Sequence, residues 1–232
     1  MSARFEELDW RPTPMGDLTL RRRLDPVSGV DVFEVKLGEE FLMSSLFTVA
    51  EEELATLGLG AVSGGELSVL VGGLGLGYTA IAALRDPRVA ELTVIDTMSA
   101  VIEWHERGLL PESATLTGDA RTRLVLDDFF AVMRREVTPD GPRYDAILLD
   151  VDHSPRHLLD PSHGDLYTVD GLRRLRRHLA GDGVFALWSD DPPDEAFVAT
   201  AEAAFSSVEA RVVEFDNPLT GGISSNTVYV GR

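Results

Sequence analysis

The 232-residue sequence predicts an α/β fold, a doubly wound and mostly parallel sheet of seven strands with a small N-terminal β-hairpin extension. Short apolar runs alternate with helical patterns from residue 67 onward, as parallel strands buried on both faces require. A glycine-rich turn sits between the first of those strands and its helix. The last two strand-like runs have no helix between them, so they are expected to pair antiparallel.

The elements follow in order. Runs 17–23 and 30–37 flank Asp25-Pro26 and Ser28-Gly29, which reads as a hairpin with a loop of several residues. Residues 48–57 have helical character, with Thr48 as N-cap and Glu51, Glu52 and Glu53 in the first turns, where the helix dipole favours acid. The Ser/Gly stretch 61–66 separates an N-terminal hairpin-and-helix extension (1–60) from a Rossmann-like catalytic domain (61–232). SVLV (68–71), ELTVID (91–96), RLVL (123–126), AILLD (146–150) and GVFALW (183–188) are the strands of the alternating part. Helices are expected over 78–84, 99–107, 129–135, 168–179 and 194–205. In the fourth of these, Leu172, Leu175 and Leu179 share one face and four arginines take the other. Runs 208–215 and 226–230 close the sheet.

Composition narrows the function classes. With 44% hydrophobic and 26% charged residues the chain is an ordinary globular one. The formal charge of −18 opposes nucleic acid as a partner and favours a small cationic one. No apolar run approaches the roughly 20 residues that span a bilayer, and the first residues carry no secretory pattern, so a cytoplasmic location is expected. Absence of cysteine removes thiolate nucleophiles and thiolate metal sites.

The glycine turn reads VLVGGLGLGYTA. Glycines there permit a tight turn and let backbone amides approach a ligand beside a helix N-terminus, which makes Gly72, Gly73, Gly75 and Gly77 candidate cofactor contacts. Asp96 follows Gly77 by 19 residues, at the end of the next strand, where a carboxylate can accept from ribose hydroxyls. Asp128, just past the third strand, can accept from an adenine amino group or cap the helix after it. No lysine follows the glycines, which excludes a P-loop. These features point to a nucleoside-bearing cofactor.

The segment DVDHSPRHLLDPSHGD (150–165) follows the fourth strand, at the sheet edge where substrates bind in open α/β folds. His153 is the candidate base, with Asp152 or Asp150 as its orienter. Tyr167, under a lid-like loop, and Trp188, past the fifth strand, are candidate substrate contacts. His153, His157 and His163 raise the question of a metal, but Pro155 interrupts the helix that would align the first two, and no metal site is assigned.

The run VLVGGLGLG…TVIDTMSAVIEWHERGLLP…RLVLDDFF…YDAILLD…LYTVDGLRRLRRHLAGDGVF resembles the spermidine synthase family of the class I S-adenosylmethionine methyltransferase-like fold. FLMSSLFTVAEEE is similar to that family's N-terminal segment. The resemblance implies S-adenosylmethionine or its decarboxylated form as cofactor, with Gly73, Gly75 and Gly77 along it, Asp96 on the ribose and Asp128 facing adenine. It also implies a homodimer. Family aminopropyltransferases carry an aspartate inside the glycine loop, where this chain has Gly75. They carry a glutamine after the second N-terminal strand, where Leu46 or Phe47 stands here. Their fourth strand ends D-S-S/T-D, and this chain has Asp150-Val151-Asp152-His153. With all three changed, the expectation is methyl transfer to a small-molecule acceptor. Aminopropyl transfer to a polyamine is the alternative, and a non-catalytic nucleoside-binding relative a third reading.

Overall fold

The computed structural model describes residues 5–217 and 219–232, and these form two sheets. The first is antiparallel, with β1 (Phe5–Thr13), β2 (Gly16–Leu24), β3 (Asp31–Leu37) and β4 (Glu40–Ser44) side by side in that order. The expected hairpin is its central pair, β2 and β3. Both outer strands are additions. β1 holds Glu6, Glu7, Asp9 and Pro12, a composition that suits an edge strand but lacks an apolar alternation to read. β4 is five residues long and follows a turn at Gly38, whose φ of 57° is left-handed. Inside this sheet Arg21 and Arg23 both close on the buried Glu34 at 2.7 Å.

Helix α1 (Val49–Gly60) comes next. Thr48 precedes it but caps no amide; its hydroxyl donates instead to Glu52 at 3.2 Å. Then follow β5 (Leu67–Gly72), α2 (Tyr78–Arg85), β6 (Val89–Asp96), α3 (Ser99–Glu106), α4 (Ser113–Gly118), β7 (Thr122–Leu126), α5 (Phe129–Arg134) and β8 (Tyr144–Leu149). The chain ends with α6 (Val169–Arg176), β9 (Leu179–Ser189), α7 (Glu195–Glu202), β10 (Val208–Asn217) and β11 (Gly222–Gly231). Helix α4, SATLTG, is too short and too poor in helix formers to be legible beforehand. α6 stops three residues early because the Tyr144 amide bonds the His178 carbonyl and draws Leu179 into register with β8.

The large sheet has the order β10-β11-β9-β8-β5-β6-β7. Strands β9, β8, β5, β6 and β7 are parallel, and β11 runs antiparallel to both β9 and β10, as expected of the helix-free closing pair. Successive strand residues feed opposite cores. Val69, Val71, Ala146 and Leu148 face one core, shared with Leu54, Trp104 and the N-terminal sheet's Leu18, Leu20 and Val35. Leu70, Ile147 and Leu149 face the other, with Phe129, Leu172 and Phe185. Gly58 of α1 lies against Leu148 with no room for a Cβ, so that helix packs directly on the large sheet. Strand order reverses between β5 and β8, and ligands of such sheets bind at the carboxyl ends beside that reversal. Among the described residues no helix is long and apolar enough to cross a membrane.

Candidate functional site

Beside that reversal lies a cavity of about 230 Å³. Its floor is the sheet edge, with Gly73, Gly75, Asp96, Asp128 and Asp150. Ile95, Phe129 and Leu159 supply apolar walls, and Met15, Leu18, Val35 and Met43 of the N-terminal sheet form the roof. The roof is anchored through α3. Trp104, fully buried, donates its indole N–H to Asp9 at 2.6 Å, and Arg11 pairs with Glu103 at 2.7 Å.

The glycines divide their work. Gly72 is a packing glycine, because a Cβ there would strike Phe129 and Leu149. Gly73 (φ 94°) passes so close to the Asp150 carbonyl that no side chain fits. Gly75 (φ 47°) lines the cavity, and Gly77 (φ 93°) starts α2 against His105. The His105 Nε2 lies 2.9 Å from the Gly75 carbonyl and pins the loop from behind. Asp96 accepts from the Leu74 amide at 3.0 Å and the Met98 amide at 2.8 Å, which fixes its carboxylate toward the loop. Burial pushes this carboxyl above its ordinary range, and the Met98, Leu74 and Gly75 amides oppose the rise. Asp128 caps α5 through the Ala131 amide at 3.1 Å while still lining the cavity, so one carboxylate serves both positions.

A second cavity, about 70 Å³, meets the first at Met43, Gly75, Asp150 and Val151. Glu51, Tyr78, His153 and Trp188 complete it. The Thr79 hydroxyl reaches the Asp150 carboxylate at 2.7 Å and the Glu51 carbonyl at 3.3 Å, tying α1, α2 and β8 together under its floor. Burial raises the Asp150 carboxyl to about 6. Burial, and then the charge of Asp150, raises Glu51 to about 8. Two carboxyl groups in one recess thus resist full ionisation until a cation joins them.

The 150–165 segment differs from the expected base-and-orienter arrangement. Asp152 does not orient His153; it is buried and accepts from His163 Nδ1 at 2.8 Å, the Tyr167 hydroxyl at 2.7 Å and the Leu159 amide at 2.8 Å. Tyr167, buried against Phe130 and Phe197, lines neither cavity. His153 instead meets Glu40 of β4 at 3.1 Å, on the outer wall of the second cavity. Trp188 stands in that cavity with its indole N–H buried and without a partner among the described residues.

No protein-family model matches the chain. Over 132 residues, 57% of its length, it is 30% identical to polyamine aminopropyltransferases of Mycobacterium tuberculosis and Mycobacterium bovis. The matched part is 24% of those proteins, so the chain spans about a quarter of the length of the curated relatives it matches. A crystal structure of spermidine synthase from Thermotoga maritima superposes with a TM-score of 0.71 at 18% identity, covering 96% of this chain and 72% of that one. A spermidine synthase in complex with the transition-state analogue AdoDATO gives 0.70 at 17%, over 96% and 71%. The chain has the spermidine synthase fold.

Within this spermidine synthase-like fold, the sequence pattern located the glycine loop, Asp96, Asp128 and Asp150 at one cavity. It missed Met43, Glu51, Tyr78 and Thr79. Glu51 sits in a run of three glutamates that reads as a helix N-terminus, and no local signal tells which of the three turns toward the sheet.

Proposed function

We propose that the chain is an aminopropyltransferase, taking the aminopropyl group of decarboxylated S-adenosylmethionine to a polyamine acceptor. One observation carries this reading: a nucleoside-sized cavity behind the glycine loop opens, at Gly75, into a recess holding two half-buried carboxyl groups, Asp150 and Glu51. The polyamine aminopropyltransferase relatives and the spermidine synthase neighbours support the same choice over methyl transfer, which the loop and D-V-D-H departures suggested. The carboxylates needed for an ammonium come here from Asp150, just past β8, and from Glu51 on α1, which the sequence pattern had not offered.

The residues fit the group. Asp96 would hold the ribose hydroxyls, Asp128 the base end, and Ile95 and Phe129 the apolar faces between. When bound, the donor supplies a carbon made electrophilic by its sulfonium. The acceptor nitrogen forms the new C–N bond as the C–S bond breaks, the electron pair passing to sulfur to leave a neutral thioether. Asp150 and Glu51 hold the acceptor ammonium and take the proton it must lose. His153, backed by Glu40, rims the recess and passes that proton outward. The net charge of −18 draws a polycation toward the site. A homodimer in the cytoplasm belongs to this reading through the family resemblance.

The test is a donor and acceptor matrix. Decarboxylated S-adenosylmethionine with a diamine or triamine should release 5′-methylthioadenosine in an amine-dependent way, and S-adenosylmethionine should give no methylated amine. Methylated product, or no release with any amine, would overturn the reading.

A further inference from the structure

His163, which the nucleoside reading leaves without a role, lies at the base end of the first cavity. It is carried on a 3-10 turn (Pro161–Asp165), and its ring stacks flat on Phe130, with centroids 3.7 Å apart and planes at 9°. It lines the cavity beside Asp128, Phe130 and Ser162. We infer that His163 reads the nucleobase, accepting a hydrogen bond from a 6-amino group and so selecting a 6-aminopurine nucleoside over its 6-oxo counterpart. The inference rests on the nucleoside reading and deepens it.

The chemistry follows from Asp152. Its carboxylate is buried and already collects the Leu159 amide and the Tyr167 hydroxyl, so it acts as an acceptor. The contact from His163 Nδ1, at 2.8 Å, is therefore an N–H donated to it. The proposed contact requires the neutral ring, in which the Nδ1–H tautomer keeps a lone pair on Nε2. Nε2 has no hydrogen-bond partner among the described residues and is not sealed from solvent. Asp128 adds a second acceptor. Its Oδ1 takes the Ala131 amide, while Oδ2 meets, among the described residues, only the Arg134 guanidinium, at a loose 3.7 Å. Two acceptors at one end of a cavity match an exocyclic amino group, which brings two hydrogens. A 6-oxo purine sets a carbonyl lone pair against them, and sites built this way discriminate strongly. The Phe130 stack and the Asp152 bond fix both ring plane and tautomer, so the lone pair is pre-positioned.

The test is calorimetric titration with 5′-methylthioadenosine and 5′-methylthioinosine. The wild-type chain should prefer the adenine ligand by at least about tenfold. His163→Phe keeps an aromatic stack but removes the lone pair, and the preference should fall about tenfold. His163→Gln, which can again present an acceptor, should recover most of it. An unchanged preference in His163→Phe would overturn the inference and leave nucleoside binding standing. If neither ligand binds the wild-type chain, the nucleoside reading fails and takes this inference with it. Should His163→Phe not fold, a wild-type chain indifferent to the two bases, or a His163→Gln that loses the preference, overturns the assignment.

Discussion

The Met43 thioether occupies the space that a side chain on Gly75 would need: a Cβ at residue 75 would stand 2.7 Å from its sulfur. Met43 and Gly75 border both cavities, so this contact forms the partition between the nucleoside space and the acidic recess. A glycine in the loop and a methionine on β4 are thus one feature. Restoring an acid to the loop by Gly75→Asp alone should weaken nucleoside binding by about tenfold or more, since φ is left-handed and the space is filled. Adding Met43→Ala should recover a substantial part of that loss in the same calorimetric titration.

The carboxyl pair makes the folded chain lose stability as pH rises. Asp150 and Glu51 titrate at about 6 and about 8 in the folded chain, above their ordinary values of 3.8 and 4.5. Folded pKa values raised in this way mean that the native chain holds more protons than the unfolded one in between. Their contribution to stability is therefore full below about pH 4 and is lost as pH rises through 6 and 8. Glu51→Gln should be stabilised relative to the wild-type chain at pH 8.5, by roughly 2–4 °C in melting temperature, and lose that advantage by about pH 5. Thermal melts of both proteins across this range provide the check.

Ligand binding should show the reverse trend. A diamine compensates the ionised pair, so its affinity should rise between about pH 6 and 8 as protons leave the recess, and binding should release protons. Calorimetry in two buffers of different ionisation enthalpy measures this, and Glu51→Gln should abolish most of the release, because Glu51 is the carboxyl still protonated in that range.

Asp152 is an anchor rather than a member of the reacting set. Asp152→Ala would strand the Tyr167 hydroxyl, the His163 ring N–H and the Leu159 amide. The expected cost is about 3 kcal/mol, or roughly 6–12 °C in melting temperature. Asp152→Asn should lose less, because its carbonyl still accepts from one side.

Much of the fold was legible because the strands of the large sheet are short, apolar and separated by helices, a pattern set by burial on both faces. The glycine loop and Asp96 were legible for a related reason, since a tight βα turn and a strand-end carboxylate are local features. Contacts that cross the chain left no such mark. Nothing around Met43 announces that its sulfur meets Gly75. Nothing in DVDH reveals that Asp152 turns inward to His163 and Tyr167 while His153 turns to Glu40. Asp127 and Asp128 are neighbours, yet Asp127 closes on Arg135 at 2.9 Å and Asp128 faces the cavity, a difference set by the start of α5. The resemblance supplied the family's amine-handling positions but not their substitutes, because Glu51 enters from a helix whose orientation is fixed only by packing on the sheet.

The most direct measurement is a crystal structure of the chain with 5′-methylthioadenosine and a diamine bound together. The ribose is expected on Asp96, the base between Asp128 and His163, and the proximal ammonium between Asp150 and Glu51, with Met43 at the junction. A nucleoside bound away from Asp96, or a diamine lying outside the Glu51–Asp150 recess, would contradict this arrangement.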